Sequence, residues 1–238
     1  MGSLTGKNIV VIGGTSGIGL ATAIQANEEG AKVWAVGRSE ERVKSAASQF
    51  PNINFSACDT HDLEGLAQLF KSVGTVDHIV GAATGANRTM KPFMEQTAEQ
   101  FSEAFNKFWG YCNVVRVGVP HLTDTGSVTL VSGTPARKCN PGMSSVSCVG
   151  NAVEGLTRAL ATELAPRRVN VVAPGTTNTG MFDWMGDKKD ENLANMSKGI
   201  LLQRAGLPEE VASAILLTLT NNYMTGITID VDGGQLLP

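Results

Sequence analysis

Residues Asn8 to Gly19 read NIVVIGGTSGIG, a short apolar run that breaks into spaced glycines. Asn8 to Ile12 has the composition of a strand buried on both faces. Leu20, Ala21, Ala23 and Ile24 then recur at helical spacing, which puts the glycines at a strand-to-helix turn. Such a turn suits a dinucleotide: Gly13 lets the chain turn, Gly17 lets the backbone approach a pyrophosphate, and Gly19 lets the helix lie close on the strand. Thr15, Ser16 and Ile18 complete the loop, where free N–H groups at a helix N-terminus point at phosphate. An ordinary glycine-rich turn is the plain alternative, and the rest of the chain has to decide between the two.

Lys32 to Val36 reads as a second strand and ends in Gly37-Arg38-Ser39. In dinucleotide-binding folds an acid about twenty positions past the glycines takes the adenosine ribose 2′-hydroxyl, whereas an Arg nearby accommodates a 2′-phosphate. Here the acid is missing. Arg38, with Ser39 and Ser16 as neutral donors, grips a phosphate that an Asp would repel, so NADP is expected over NAD. A solvated helix-start arginine is the competing reading.

Glu40 to Gln49 reads as a helix, Ile53 to Ser56 as a third strand, and a further helix starts near Asp62. Asp59 lies between them, placed to accept from an adenine amino group or to cap the helix that follows. Val76 to Gly81 is a fourth strand leading into AATGAN, where Ala82 and Ala83 let a nicotinamide-side ribose come close to the backbone. A long helical region is expected over Thr97 to Leu122, a strand over Gly126 to Ser132, a long helix over Gly142 to Leu164 and a strand over Val169 to Ala173. Pro208 to Leu219 is a last helix and Thr228 to Val231 the closing strand. This alternation predicts an α/β fold of the Rossmann type, doubly wound and mostly parallel, with helices on both faces and the ligand at the strands' carboxyl ends. Thr176 to Gln203, rich in Asn, Met, Lys and Asp around Phe182 and Trp184, breaks the rhythm and is expected to be a substrate loop or lid.

A chain of 238 residues suits one α/β domain over its whole length. Charged residues are 17% and the formal net charge is −3, which recommends neither a nucleic-acid nor an anionic-membrane partner. No apolar run approaches the roughly 18 to 20 residues that span a bilayer, and MGSLTGK has no apolar signal core. Gly6 stands where a myristoylation signal needs Ser or Thr. Cys58, Cys112, Cys139 and Cys148 are scattered without metal-like pairing, so no metal is expected and a reducing cytoplasm is.

With GGTSGIG at Gly13 to Gly19, Asp59, GSVTLVS at Gly126 to Ser132, AVEGLTRALATELAP at Ala152 to Pro166, RVNVVAPG at Arg168 to Gly175 and TGITIDVDGG at Thr225 to Gly234, the chain resembles the short-chain dehydrogenase/reductase family over essentially its whole length. The resemblance implies seven strands in a three-layer αβα arrangement and NADP(H) across their carboxyl ends. It also implies nicotinamide held by the segment after Pro174 and Gly175, including Thr177 and Thr179. A small-molecule substrate and a homodimer or homotetramer packed through the two long helices are implied as well.

The family's chemistry uses a tyrosine acid, a lysine four residues later, a serine thirteen residues before the tyrosine and an asparagine in the preceding long helix. Counted from the matching segments, these positions are Val146, Gly150, Gly133 and Lys107. All four are substituted, and neither Tyr111 nor Tyr223 has a lysine four residues on. General acid help is worth roughly 10² to 10⁴ in rate, and Val146 forfeits it. Ser147 and Asn151 keep the spacing one position later, but one residue turns a side chain by about 100° around a helix. Three readings follow. The first is an NADP(H)-dependent reductase of an imine, an iminium or an activated carbonyl, as in the tetrad-lacking reductases of fungal alkaloid pathways to which the chain is similar. The second is a carbonyl reductase in which Lys107, with Arg137 or Lys138 after the fifth strand, stabilises an oxyanion. The third is an NADP-binding protein with non-redox catalysis, or a scaffold or sensor.

Overall fold

The structure, a computed structural model, describes residues 2–84 and 89–238. The strands are β1 (Asn8–Ile12), β2 (Lys32–Gly37), β3 (Asn54–Ala57), β4 (Val76–Gly81), β5 (Leu122–Val131), β6 (Arg168–Pro174) and β7 (Thr228–Val231). The helices are α1 (Gly17–Glu28), α2 (Glu40–Gln49), α3 (Leu63–Val73), α4 (Ala98–Ala104), α5 (Asn106–Gly118), α6 (Ser144–Glu163), α7 (Lys189–Met196) and α8 (Pro208–Thr220). One seven-stranded, wholly parallel sheet runs in the order β3-β2-β1-β4-β5-β6-β7. The expected Rossmann-type architecture is therefore present.

Period-two geometry explains the apolar run of β1. Val10 and Ile12 pack with Leu66 and Phe70 of α3, Tyr111 and Val114 of α5 and Val153 of α6. Ile9 and Val11 face the other way, against Ala23 of α1 and Val211 and Ile215 of α8. Helices on both faces leave no solvent side, so the central strands read as continuous hydrophobics rather than alternating ones. The strand order reverses between β1 and β4, and a doubly wound sheet opens its ligand crevice at that reversal.

Three expected elements differ. The helical region over Thr97 to Leu122 is two helices broken at Phe105, and it ends in a 3₁₀ turn at Val119–His121 before β5 begins at Leu122. The segment over Thr176 to Gln203 is not irregular: it holds 3₁₀ turns over Gly180–Lys188 and then α7, and it buries Leu193 and Ile200. The cap of α3 is Asp62, whose Oδ1 accepts from Gly65 N at 2.9 Å, rather than Asp59.

Candidate active site

The glycine turn follows β1 at the sheet reversal. Gly13 has φ +86°, and a Cβ there would lie 2.5 Å from the backbone N of Ala83, so the turn and the end of β4 are in backbone contact. Ala82 N donates to Ile12 O at 2.8 Å, which fixes that approach; Gly85, Ala86 and Asn87 of AATGAN lie outside the described residues. Gly17, at φ +52°, opens α1, and its Cβ would sit 3.3 Å from Thr179 Cγ2. Ser16 is the N-cap and makes no side-chain cap bond, and the first turn contains no acid. The leading N–H groups of α1 are thus left without a side-chain cap bond.

The rim of the crevice carries the expected adenosine side. Arg38 follows β2 with its side chain 65% exposed, and Nη1 stands 3.9 Å from Asp59 Oδ2. Asp59 is steadied by His61 N, which donates to Oδ1 at 2.9 Å. Ser39 caps α2, its hydroxyl oxygen accepting from Arg42 N at 3.3 Å, which leaves its O–H free to donate. Thr15 packs directly against Gly37, in the space a side chain at residue 37 would need.

On the far side, β6 delivers Pro174 and Gly175. Thr177, 6% exposed, donates to Gly175 O at 3.0 Å and bridges to Gly206, while Thr179 Oγ1 accepts from Met181 N at 3.4 Å as the segment turns over Gly17. Of the residues expected to hold a dinucleotide, the structure brings Gly13 against Ala83, Gly17 against Thr179 and Arg38 beside Asp59, all at the carboxyl ends of the strands.

The reaction centre adjoining it has a different character. Lys107 Nζ donates to Ser132 O at 3.3 Å and lies 5.6 Å from the centre of the Tyr111 ring. The Tyr111 hydroxyl, 1% exposed, donates to Val131 O at 3.3 Å, so this phenol belongs to the core. Tyr223 is fully exposed beyond α8. Val146 is half-buried in the first turn of α6, and Gly150 faces Ala136. Asn151 donates through Nδ2 to Ala136 O and to Ser147 O, so it holds the turn after β5 against α6 instead of entering the crevice.

Arg137 is held elsewhere. Its guanidinium makes a two-pronged pair with Asp230 of β7, which pushes the Arg137 pKa up, and Nε lies 3.5 Å from Glu154 Oε1, whose charge adds to the rise. Glu154, 5% exposed, also accepts from Ser132 Oγ at 3.1 Å. The arrangement clamps the end of β5 to α6 and β7, with Ser132 linking the clamp to Lys107.

The sequence profile described as enoyl-(acyl carrier protein) reductase matches residues 12–235. The chain belongs to the short-chain dehydrogenase/reductase family. It is 34% identical, over the full length of both chains, to the short-chain dehydrogenase/reductase ATR9 of Stachybotrys chlorohalonatus. The structure of the MalC reductase/Diels-Alderase from Malbranchea aurantiaca superposes with a TM-score of 0.90 at 32% identity, covering 99% of this chain and 98% of that one. An NADPH-bound short-chain oxidoreductase from Pseudomonas aeruginosa, named as containing an atypical catalytic centre, also gives 0.90, at 31% identity and 98% coverage of both chains.

One residue of this family member has no counterpart in the sequence reading. Gln235 Oε1 accepts from Thr176 N at 2.9 Å and from Thr176 Oγ1 at 3.3 Å, so the C-terminal tail shapes the segment expected to hold nicotinamide. Its position just after the DGG turn was the only available signal. Among the described residues no group of three His, Cys, Asp or Glu could hold a metal, and no helix is long and apolar enough to cross a membrane.

Proposed function

We propose that this chain is an NADP(H)-dependent oxidoreductase that reduces a small molecule needing no proton from the protein, an iminium or an imine already protonated by solvent in the first place and an activated carbonyl, its alkoxide protonated by water, in the second. One observation carries the reading: Val146 and Gly150, on the first turns of α6, supply neither acid nor cation, and Gly150 is packed too tightly against Ala136 for a longer side chain. The NADPH-bound neighbours support the choice of cofactor.

Bound NADPH supplies the hydride. The chain's residues do the rest by placement. The N-terminus of α1 and Gly17 take the pyrophosphate, Arg38 and Ser39 the 2′-phosphate, and Asp59 the adenine amino group. Pro174, Gly175, Thr177 and Thr179 fix the nicotinamide, with Gln235 bracing Thr176. An iminium carbon accepts hydride and its nitrogen becomes a neutral amine, so charge disappears at the reacting group and no side chain has to donate. For a carbonyl, oxygen gains negative charge, and the Lys107 ammonium beside Ser132 O is placed to stabilise it. Arg137, paired with Asp230 and Glu154, contributes by holding Ser132. The lid over residues 176–203 presents Met181 and the 79%-exposed Trp184 as apolar surface for the substrate. Assembly into a homodimer or homotetramer through the two long helices is part of the same reading, on the family resemblance.

The test is to titrate NADPH and NADH by fluorescence and then to follow oxidation of the bound dinucleotide with matched cyclic imines and ketones. Imine turnover exceeding ketone turnover is the expected result; tight NADPH binding with neither turnover refutes the redox assignment. A non-redox reaction in the same crevice is the second reading, favoured by the coupling of a reductase with a Diels-Alderase in a structural neighbour's name.

A further inference from the structure

At the opposite end of the sheet, a cavity of about 420 Å³ lies between the N-terminal segment, the bases of β4, β5 and β6 and the end of α8. Lys7, Asp77, His78, Thr125 and Arg168 are among its lining residues. Their charges do not cancel. Both oxygens of Asp77 are taken, Oδ1 by Lys7 Nζ and Oδ2 by Asn8 N, each at 2.9 Å. His78, 5% exposed, shares a hydrogen bond with Ser127 Oγ at 2.8 Å through Nδ1, and burial holds its pKa at about 4, so the ring is neutral near pH 7.

Arg168 remains. It is 6% exposed, and its Nη1 donates to Thr218 O at 2.6 Å and Met224 O at 3.1 Å while Nη2 donates to Leu219 O at 2.9 Å. The Thr218 and Leu219 carbonyls at the end of α8 and the Met224 carbonyl beyond it give it dipoles but no counter-charge. Among the described residues no carboxylate lies within ion-pair distance of it, and its buried Nε has no hydrogen-bond acceptor. Buried charges are ordinarily paired and buried donors ordinarily bonded. We infer that this cavity is an anion site, taking a small oxyanion of the phosphate or carboxylate class whose charge offsets that of Arg168 in the cavity wall and whose oxygens accept from Lys7 and Thr125. It is distinct from the dinucleotide crevice, which lies at the carboxyl ends of the strands.

Arg168 also holds α8, so its removal would confuse binding with folding. Thr125 is exposed at the rim, and Thr125→Glu puts a negative charge there without disturbing a buried contact. Thermal unfolding of the full chain, with excess NADPH present, is measured against inorganic phosphate, acetate and chloride at equal ionic strength, with phosphorus NMR line widths as the direct readout. The expected result is a saturable rise in Tm of about 3 °C or more at about tenfold the dissociation constant for phosphate or acetate, according to class, and not for chloride. The rise is retained in Arg38→Ala and lost in Thr125→Glu. A rise that never saturates, one that survives Thr125→Glu, or one that disappears in Arg38→Ala overturns the site, and so does the absence of any rise.

Discussion

Gly150 lies against Ala136: a Cβ on the glycine would stand 2.9 Å from the alanine Cβ and 3.3 Å from its Cα. A lysine is therefore excluded at the position where the family's lysine is expected unless the 3₁₀ turn at Thr134–Ala136 moves. Val146→Tyr with Gly150→Lys is expected to lose about 1–3 kcal/mol of stability through overpacking, a Tm lower by about 2–4 °C for each kcal/mol, and to gain no ketone reduction. Thermal unfolding with a ketone assay checks both; a stable, ketone-active double variant would show that the site accepts the ordinary machinery.

Arg38→Ala should weaken NADPH binding by about tenfold or more, the usual loss of a charged hydrogen bond at about 1.5–3 kcal/mol, and leave NADH binding nearly unchanged. Paired fluorescence titrations decide it. Equal weakening of both cofactors would move the 2′-phosphate away from Arg38. Gly37→Asp should harm both, because the new side chain displaces Thr15 before it can reach a ribose.

Lys107→Met separates the two substrate classes. Removing a cation beside the reacting atom should lower carbonyl kcat, by up to about 10²-fold, and leave iminium kcat unchanged or raised, since a like charge no longer opposes the substrate. Steady-state kinetics on a matched ketone and imine give the answer, and parallel losses on both would reduce Lys107 to a support for Ser132.

Burial lowers the His78 pKa from 6.5 to about 4, against the pull of Asp77 and with help from Arg168 and Lys7. The unfolded chain thus binds a proton that the folded chain refuses between those values, so stability rises with pH across that window. What His78 contributes is fully present above about pH 6.5 and is lost, by at most about 3 kcal/mol, as pH falls to about 4. Denaturant unfolding across this range should show the slope, and His78→Gln should flatten it.

The sheet and the family were legible because their signals are local: an apolar strand buried on both faces, and glycines at fixed spacing in a strand-to-helix turn. The break at Phe105 was not, since apolar residues continue at helical spacing across it and only a tertiary turn separates α4 from α5. α7 escaped notice because Leu193 is its one buried residue among polar neighbours. Asp59 and Asp62 are equivalent as caps in sequence, and the helix chose the nearer one. The partners of Arg137 lie far along the chain, Asp230 at 93 residues' separation, and no periodicity reveals such a pair.

The last residues of the chain are tied in from two sides. Lys138 Nζ donates to Gln235 O at 2.7 Å and to Leu237 O at 3.1 Å, while the Gln235 side chain takes Thr176. A displacement of the stretch that carries Gln235 and Leu237 is therefore handed directly to Thr176 and to the turn after β5, without passing through the sheet.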